Sequence, residues 1–279
     1  MTERAVELVE ADASAHPSPL EPFDEQASFD VASGVRALFE LRADGAHAGS
    51  AVLGDGALDL FIRPDSRGHG LGAAAVEQLL ERAGAGPLTA WSHEDHPAAR
   101  ALAARFGFDA VRTLLQLRLE LGPPMASHAA PNASPHMQIM PFRPGTDDRE
   151  WLALNARVFA WHPEQGGIAQ HDLEQRMAEP WFCPEDFLVA RDAADTMVGY
   201  CWLKAAGSEA GEIYVIGVAP EASGRGLGRA LMAAGLNRLR ERGCTAAELY
   251  VEADNTAAVA LYRSLGFGDA SVHVQYARA

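Results

Sequence analysis

What this sequence has little of narrows its function first. It carries three cysteines in 279 residues, Cys183, Cys201 and Cys244. They form no Cys-x-x-Cys pair and leave an odd count, which suits a reducing compartment and argues against a zinc site. With no His/Cys cluster either, no metal is expected. Positive charge is also scarce: 23 Lys and Arg stand against 38 Asp and Glu, a formal net charge of −15. Nucleic acid and anionic membrane surfaces both require a basic face, so neither is an expected partner. No apolar run approaches the ~20 residues of a membrane span, and Met1-Thr2-Glu3-Arg4 lacks the basic-then-apolar pattern of a signal peptide. A cytoplasmic monomer is therefore expected.

What is present is 48% apolar residues, enough to bury one large core or two smaller ones, and two domains fit the length better. The chain is organised around residues 211–235. Gly211-Glu212-Ile213-Tyr214-Val215-Ile216-Gly217-Val218 is β-branched and aromatic and stops at Pro220. Ser223-Gly224-Arg225-Gly226-Leu227-Gly228 follows, and then strong helix formers from Arg229 on. This reads as strand, glycine loop, helix. Glycines let main-chain amides approach a ligand, and a helix starting near Leu227 adds the positive end of its dipole, the physics of phosphate binding. The loop lacks the Lys-Ser/Thr of a P-loop and the ribose-binding acid of a Rossmann fold, so a plain strand-to-helix turn stands as the other reading. Because the protein is acidic, a polyanion would have to be captured locally, by amides and by Arg225 or Arg229.

Upstream the same arrangement occurs once more. Leu58-Asp59-Leu60-Phe61-Ile62 reads as a strand, Arg67-Gly68-His69-Gly70-Leu71-Gly72 as a glycine loop and residues 73–83 as a helix. Arg67 lies 156 positions before Ser223, and Phe106-Gly107-Phe108 lies 159 before Leu265-Gly266-Phe267, which marks an internal repeat. In that register Asn255 corresponds to His96 and Tyr262 to Ala103. The first repeat keeps the loop but not these two side chains, so its loop is either a retained ligand site or a turn kept for folding. Residues 35–41 and 46–53 read as strands joined at Asp44-Gly45, while the segment up to about Asp24 reads as weak helix broken by Pro17, Pro19 and Pro22. The stretch 122–136, rich in Pro, Ala and Ser, is a linker.

In the second repeat a strand is expected near 137–140, helices over 151–159 and 170–177, and strands at 199–204 and 249–252. Asp254-Asn255-Thr256-Ala257-Ala258-Val259-Ala260-Leu261-Tyr262 opens an N-capped helix closed by Gly266. The glycine loop, the Asn and Tyr on this helix and the Leu-Gly-Phe ending resemble the GCN5-related N-acetyltransferases (GNAT). Ser223 departs from the Arg or Gln that this family carries at the loop's first position, whereas Arg67 keeps it. The resemblance implies an α+β fold of two tandem GNAT domains, each a mixed, mostly antiparallel sheet flanked by helices: a degenerate domain over 1–121, and a catalytic one over 137–279.

It also implies acetyl-CoA as cosubstrate. Its binding residues would be Ile216, Gly217, Val218, Ser223, Gly224, Arg225, Gly226, Leu227, Gly228 and Arg229, with Asn255, Thr256, Ala257, Ala258, Val259 and Ala260. In the first repeat the corresponding set is Leu60, Phe61, Ile62, Arg67, Gly68, His69, Gly70, Leu71 and Gly72. The segment Trp161-His162-Pro163-Glu164-Gln165-Gly166-Gly167, with Glu179-Pro180-Trp181-Phe182, is similar to a tandem subgroup that acetylates the cysteinyl α-amine of a Cys-glucosaminyl-inositol pseudodisaccharide. That likeness implies that Glu164 and Lys204 bind sugar and inositol hydroxyls, that Tyr250 lines the same site and that Glu25 is the first repeat's contribution. By residue type alone Glu164 is a surface residue or an N-cap.

The chemistry asks little of the protein. An α-amine with a pKa of about 7.7–8.0 is partly free base at neutral pH, so a modest base suffices. Glu212 shares a strand face with Tyr214, Ile216 and Val218 and is read either as that base or as a solvated edge residue. A main-chain amide near Val218 is the candidate oxyanion donor, and the strand edge at Ile216 and Val218 would receive pantetheine amides as an added strand. Tyr262 is either core or the acid that protonates the departing thiolate, and Asn255 binds the cofactor arm or caps the helix. Direct transfer needs no nucleophilic side chain. The rival readings are an acetyltransferase for another amine, a peptide N-terminus or an aminoglycoside, and a non-catalytic acyl-CoA sensor.

Overall fold

The structure, a computed structural model, describes residues 6–11, 23–122, 137–162, 165–205, 207 and 209–279. Glu164 and all but the first residue of the expected linker lie outside the described residues. Two compact units result. One holds the chain up to Leu115 with Glu252–Asp254 and Ser271–Ala279; the other holds Gln116–Val251 with Asn255–Ala270.

In the first unit, β1 (Val6–Glu10), β2 (Ala37–Ala43), β3 (Ala46–Gly54) and β4 (Ala57–Ile62) form an antiparallel meander. Val6–Glu10, expected as weak helix, is a strand: Val6 and Leu8 are buried in alternation while the chain pairs with β2. The β2–β3 turn falls at Asp44-Gly45 as expected, both residues at positive φ (51° and 78°), the backbone of a two-residue hairpin. Helix α1 (Glu25–Ala32) is capped by Asp24, whose Oδ1 accepts from Ala27 N at 2.8 Å; nothing about the Glu25 side chain is described. Alternation splits the sheet's faces. Leu38 and Val52 pack with Val31 of α1, while Phe39, Leu41 and Leu53 pack with Leu71, Ala75 and Leu79 of α2 (Leu71–Ala83).

Strand β5 (Leu88–Ser92) runs parallel to β4 but registers with it only at Ala57↔Thr89, and α3 (Pro97–Phe106) leads into β6 (Asp109–Glu120). The strand on the far side of β5 comes from the chain's other end: in β12 (Gly268–Arg278), Val274 to Arg278 pair antiparallel with Ser92 to Leu88. Just before this ladder His273 Nδ1 stands 3.2 Å from His93 Nδ1, and His273 Nε2 stands 2.8 Å from Ser271 Oγ.

Burial first, then His93, hold the His273 imidazole below its usual value, against a smaller upward pull from Glu94. A histidine with a lowered folded pKa binds less proton folded than unfolded. Its contribution to stability is therefore complete above the unfolded value of about 6.5 and declines as pH falls through the folded value. The unfolding midpoint of His273→Gln should vary less between pH 7 and 5 than that of the wild type; equal slopes would assign the acid sensitivity to other groups.

The second unit repeats the plan. β7 (Gln138–Pro141), β8 (Phe187–Arg191), β9 (Met197–Lys204) and β10 (Ala210–Val218) are antiparallel in that order, and β11 (Ala246–Glu252) follows parallel to β10. On one face α4 (Asp148–Val158) brings Trp151 edge-on to Tyr200 and Trp202, and Phe187 stacks on Trp202 at 4.3 Å between ring centres. On the other, α6 (Leu227–Glu241) closes over Cys201 and Leu203. α5 (Gln170–Met177) and α7 (Thr256–Ser264) complete the unit.

Candidate active site

The two parallel strands of the second unit part early. β10 and β11 register only from Ala210↔Ala246 to Glu212↔Glu248, although β10 continues to Val218. Beyond Glu212 the edge of β10 toward β11 is left to another partner, and Ile216 and Val218 are half-buried there while Gly217 is buried. The first unit parts in the same way, with Leu60, Phe61 and Ile62 lying beyond the one registered pair.

Each strand end delivers a glycine loop with one geometry. Gly224 and Gly226 have φ of 75° and 82°, Gly68 and Gly70 of 79° and 80°, values that side chains strain to adopt. Gly226 and Gly70 are the N-caps of α6 and α2, neither helix has a side-chain cap or an acid in its first turn, and each start is anchored by a buried leucine, Leu227 or Leu71. Unfilled amides at the positive end of a helix dipole fit an anion such as a pyrophosphate. The loops' first residues differ in type yet both tie the loop to its strand: Ser223 Oγ donates to Ala219 O at 3.2 Å, and Arg67 Nε to Ile62 O at 2.9 Å. His69, Arg225 and Arg229 are exposed, and Arg229 Nη2 donates to Ser264 Oγ at 2.8 Å.

Asn255 caps α7, its Oδ1 accepting from Ala258 N at 3.2 Å; Thr256, Ala257 and Ala260 are exposed, and Ala258 and Val259 half-buried. His96, at the corresponding place, caps α3 through Nδ1 on Ala98 N at 3.1 Å, so the register of the repeat extends to cap geometry. Tyr262 is buried against Phe267, where Ala103 stands in the first repeat. Burial, with a further push from Cys201, raises the phenol well above its ordinary value and keeps it protonated. Burial raises the Cys201 thiol to about 12, so it is no thiolate nucleophile at neutral pH.

Glu212 stands where β10 and β11 part. Half-buried, it lies across from Lys204 on β9 and Glu248 on β11. Tyr250 is 44% exposed; its phenol is pushed up to about 12, by burial first and then by the negative charges of Glu212 and Glu248. Lys204 Nζ stands 5.1 Å from the Trp181 ring centre. Glu248 is held by Arg118 and by Gln116 Nε2 at 3.1 Å.

Asn155 is a residue that sequence reasoning did not single out. Fully buried on α4, it donates through Nδ2 to Gln165 O at 2.6 Å and accepts at Oδ1 from Tyr200 Oη at 2.7 Å. Gln165 N in turn donates to His162 Nδ1 at 3.1 Å, so the segments on both sides of Glu164 are tied to α4. A Cβ on Gly166 would fall 2.3 Å from Phe159 O, so only glycine fits this approach. The one sequence signal was a helical Asn at an inward position. Among the described residues no group of three or more His, Cys, Asp or Glu is arranged to hold a metal ion, and no helix is long and apolar enough to cross a membrane.

Comparison with known proteins agrees with this geometry. The sequence profile of the acetyltransferase (GNAT) family matches residues 6–108 and 154–267, one span in each repeat. Two solved structures share the fold. A GCN5-related N-acetyltransferase from Sphaerobacter thermophilus has a TM-score of 0.75 at 21% identity, over 98% of this chain and 95% of that one. A tandem GNAT protein from the clavulanic acid biosynthesis pathway has 0.73 at 18%, over 98% of both. The chain belongs to the GNAT family and is an acetyltransferase, with two tandem GNAT folds.

Within the family it is similar to proteins described as mycothiol acetyltransferase. The relative from Clavibacter michiganensis subsp. michiganensis is 44% identical over 92% of this chain and 86% of its own. Those from Sanguibacter keddieii and Salinispora arenicola are 48% and 43% identical, over 81% and 98% of this chain and 75% and 92% of theirs.

Proposed function

We propose that this acetyltransferase moves the acetyl group of acetyl-CoA to the cysteinyl α-amine of a Cys-glucosaminyl-inositol pseudodisaccharide, completing mycothiol, and that the second unit is the catalytic one. The relatives' descriptions support the acceptor. The observation that carries the catalytic reading is the meeting of Glu212, Lys204 and Tyr250 where β10 and β11 part, on the strand that ends in an uncapped glycine loop. The first unit keeps the loop and the helix cap but has Ala103 in place of Tyr262, so it contributes structure or a second cofactor site rather than chemistry.

When bound, acetyl-CoA supplies an activated thioester. Ile216 and Val218 offer main-chain groups to its pantetheine arm, and the amides at Gly226, Leu227 and Gly228 hold the pyrophosphate, with Arg225 close by. Glu212 takes the proton from the acceptor ammonium, directly or through water. The amine attacks the thioester carbonyl, a main-chain amide near Val218 receives the oxyanion, and the thiolate leaves with a proton from Tyr262. The second proton of the attacking nitrogen returns through water to the Tyr262 phenolate as the amide forms. Thiolate is an easy leaving group, so approximation by the strand and loop carries more of the rate than the acid does. Buried Cys201 rules against an acyl-enzyme. Lys204, Tyr250 and Glu164 are the second unit's binding residues for the acceptor.

Thiol release from acetyl-CoA, measured with the pseudodisaccharide against peptide N-termini and aminoglycosides, tests the acceptor. Turnover confined to the pseudodisaccharide is expected. Faster turnover of another amine would discard the acceptor and keep the chemistry.

A further inference from the structure

The ladder between β9 and β10 contains an interruption. Glu212 pairs with Lys204 and Ile213 with Leu203, but Trp202 pairs with Val215, so Tyr214 is the extra residue of a bulge. In the first unit β3 and β4 pair without such a shift, and Leu58 occupies the position equivalent to Tyr214. The Tyr214 ring packs against Trp181 at 5.2 Å and Trp202 at 5.5 Å, and its hydroxyl accepts the Nε–H of Arg176 at 3.0 Å. Arg176 sits in the last turn of α5, where Nη1 donates to Asp172 O at 3.0 Å and ties the guanidinium to its own helix.

We infer that Arg176 is a positioning residue for the acceptor amine, acting through Tyr214; the inference rests on the reading of the second unit as the site of transfer. Tyr214 lies with Glu212 on the face of Lys204 and Trp202, beside the proton acceptor. Past the bulge Ile216 pairs with Cys201 and turns to the α6 face, so Glu212, Tyr214, Ile216 and Val218 do not share one face as simple alternation predicts. A phenol that accepts from a guanidinium becomes a stronger donor in its turn, and its ring is fixed by two tryptophans. α5 leaves the segment that Asn155 ties to α4, so the Arg176–Tyr214 bond also joins that segment to the strand of Glu212. No such clamp exists among the described residues at Leu58, in the repeat that lacks the catalytic residues.

The test is a double-mutant cycle with Arg176→Met and Tyr214→Phe, the latter removing one oxygen and keeping the ring packing. Arg176→Met should lower kcat/KM for the acceptor about tenfold, the factor that roughly 1.4 kcal/mol of a lost charge-assisted hydrogen bond represents, and leave KM for acetyl-CoA within about twofold. Tyr214→Phe should match it, the double variant should be no worse than either single, and Arg176→Lys should recover most of the loss. Additive losses, equal damage to acetyl-CoA binding or an unchanged kcat/KM would overturn the inference. If the wild type prefers another amine, the cycle is run with that amine. The proposed acceptor then fails in the wild type, whereas the role of Arg176 fails only in the variants; a chain that turns over no amine overturns both.

Discussion

Glu212→Gln is expected to lower kcat about tenfold at pH 7 and about a hundredfold at pH 6, as the fraction of free α-amine with a pKa of about 7.7–8.0 dictates, with little change in KM for acetyl-CoA. The substitution keeps the size and the strand position between Lys204 and Glu248 but removes the group that takes the ammonium proton. The variant must then wait for acceptor that is already free base. Below a pKa of about 7.7 that fraction falls roughly tenfold per pH unit, so the deficit should shrink as pH rises toward about 9. Thiol release followed from pH 6 to 9 for both proteins decides it. A variant that is crippled equally at every pH would mean that Glu212 binds the acceptor without taking its proton, and an undamaged variant would move the base elsewhere.

The second large effect is expected at Asn155→Leu. The leucine fills the volume of the amide but takes their partner away from the buried Tyr200 hydroxyl and the half-buried Gln165 carbonyl. Buried polar groups stripped of partners cost about 1–3 kcal/mol each, so an overall loss of about 3 kcal/mol in unfolding free energy follows. Because the same amide holds Gln165, whose N–H in turn holds His162 on the other side of Glu164, KM for the acceptor should rise several-fold while KM for acetyl-CoA holds. Adding Tyr200→Phe removes one of the stranded groups and should restore part of the stability but not the acceptor KM. Denaturant titration together with steady-state kinetics separates the two; full recovery of both would mean that Asn155 serves the core alone.

Residues acting through their neighbours in sequence were legible. The glycine loops, the N-cap at Asn255 and the turn at Asp44-Gly45 obey rules of positive φ and unpaired amides that operate over three or four residues. The strand, loop and helix of each repeat follow from them, and the likeness of these motifs to those of the GNAT proteins pointed to the family. Helix α5 falls over residues 170–177, as its pattern requires.

Partners far apart in sequence were not legible. Asn155 meets Tyr200 across 45 positions, Arg176 meets Tyr214 across 38, and the bulge exists only in the pairing of β10 with β9. Val6–Glu10 is a strand because β2 offers it an edge, against a local composition that suggested weak helix. The same holds for the last strand: nothing in residues 271–279 says that they pair with Ser92 to Leu88, and a cut of the chain at the linker would have placed them with the second repeat. The sequence alone therefore determined the glycine loops and capped helices, since these are made by short-range backbone geometry, and, through their likeness to known motifs, the family. The tertiary structure decided which side chains hold the bulge and the segments around Glu164, since those contacts depend on strand pairing and burial that no local pattern encodes.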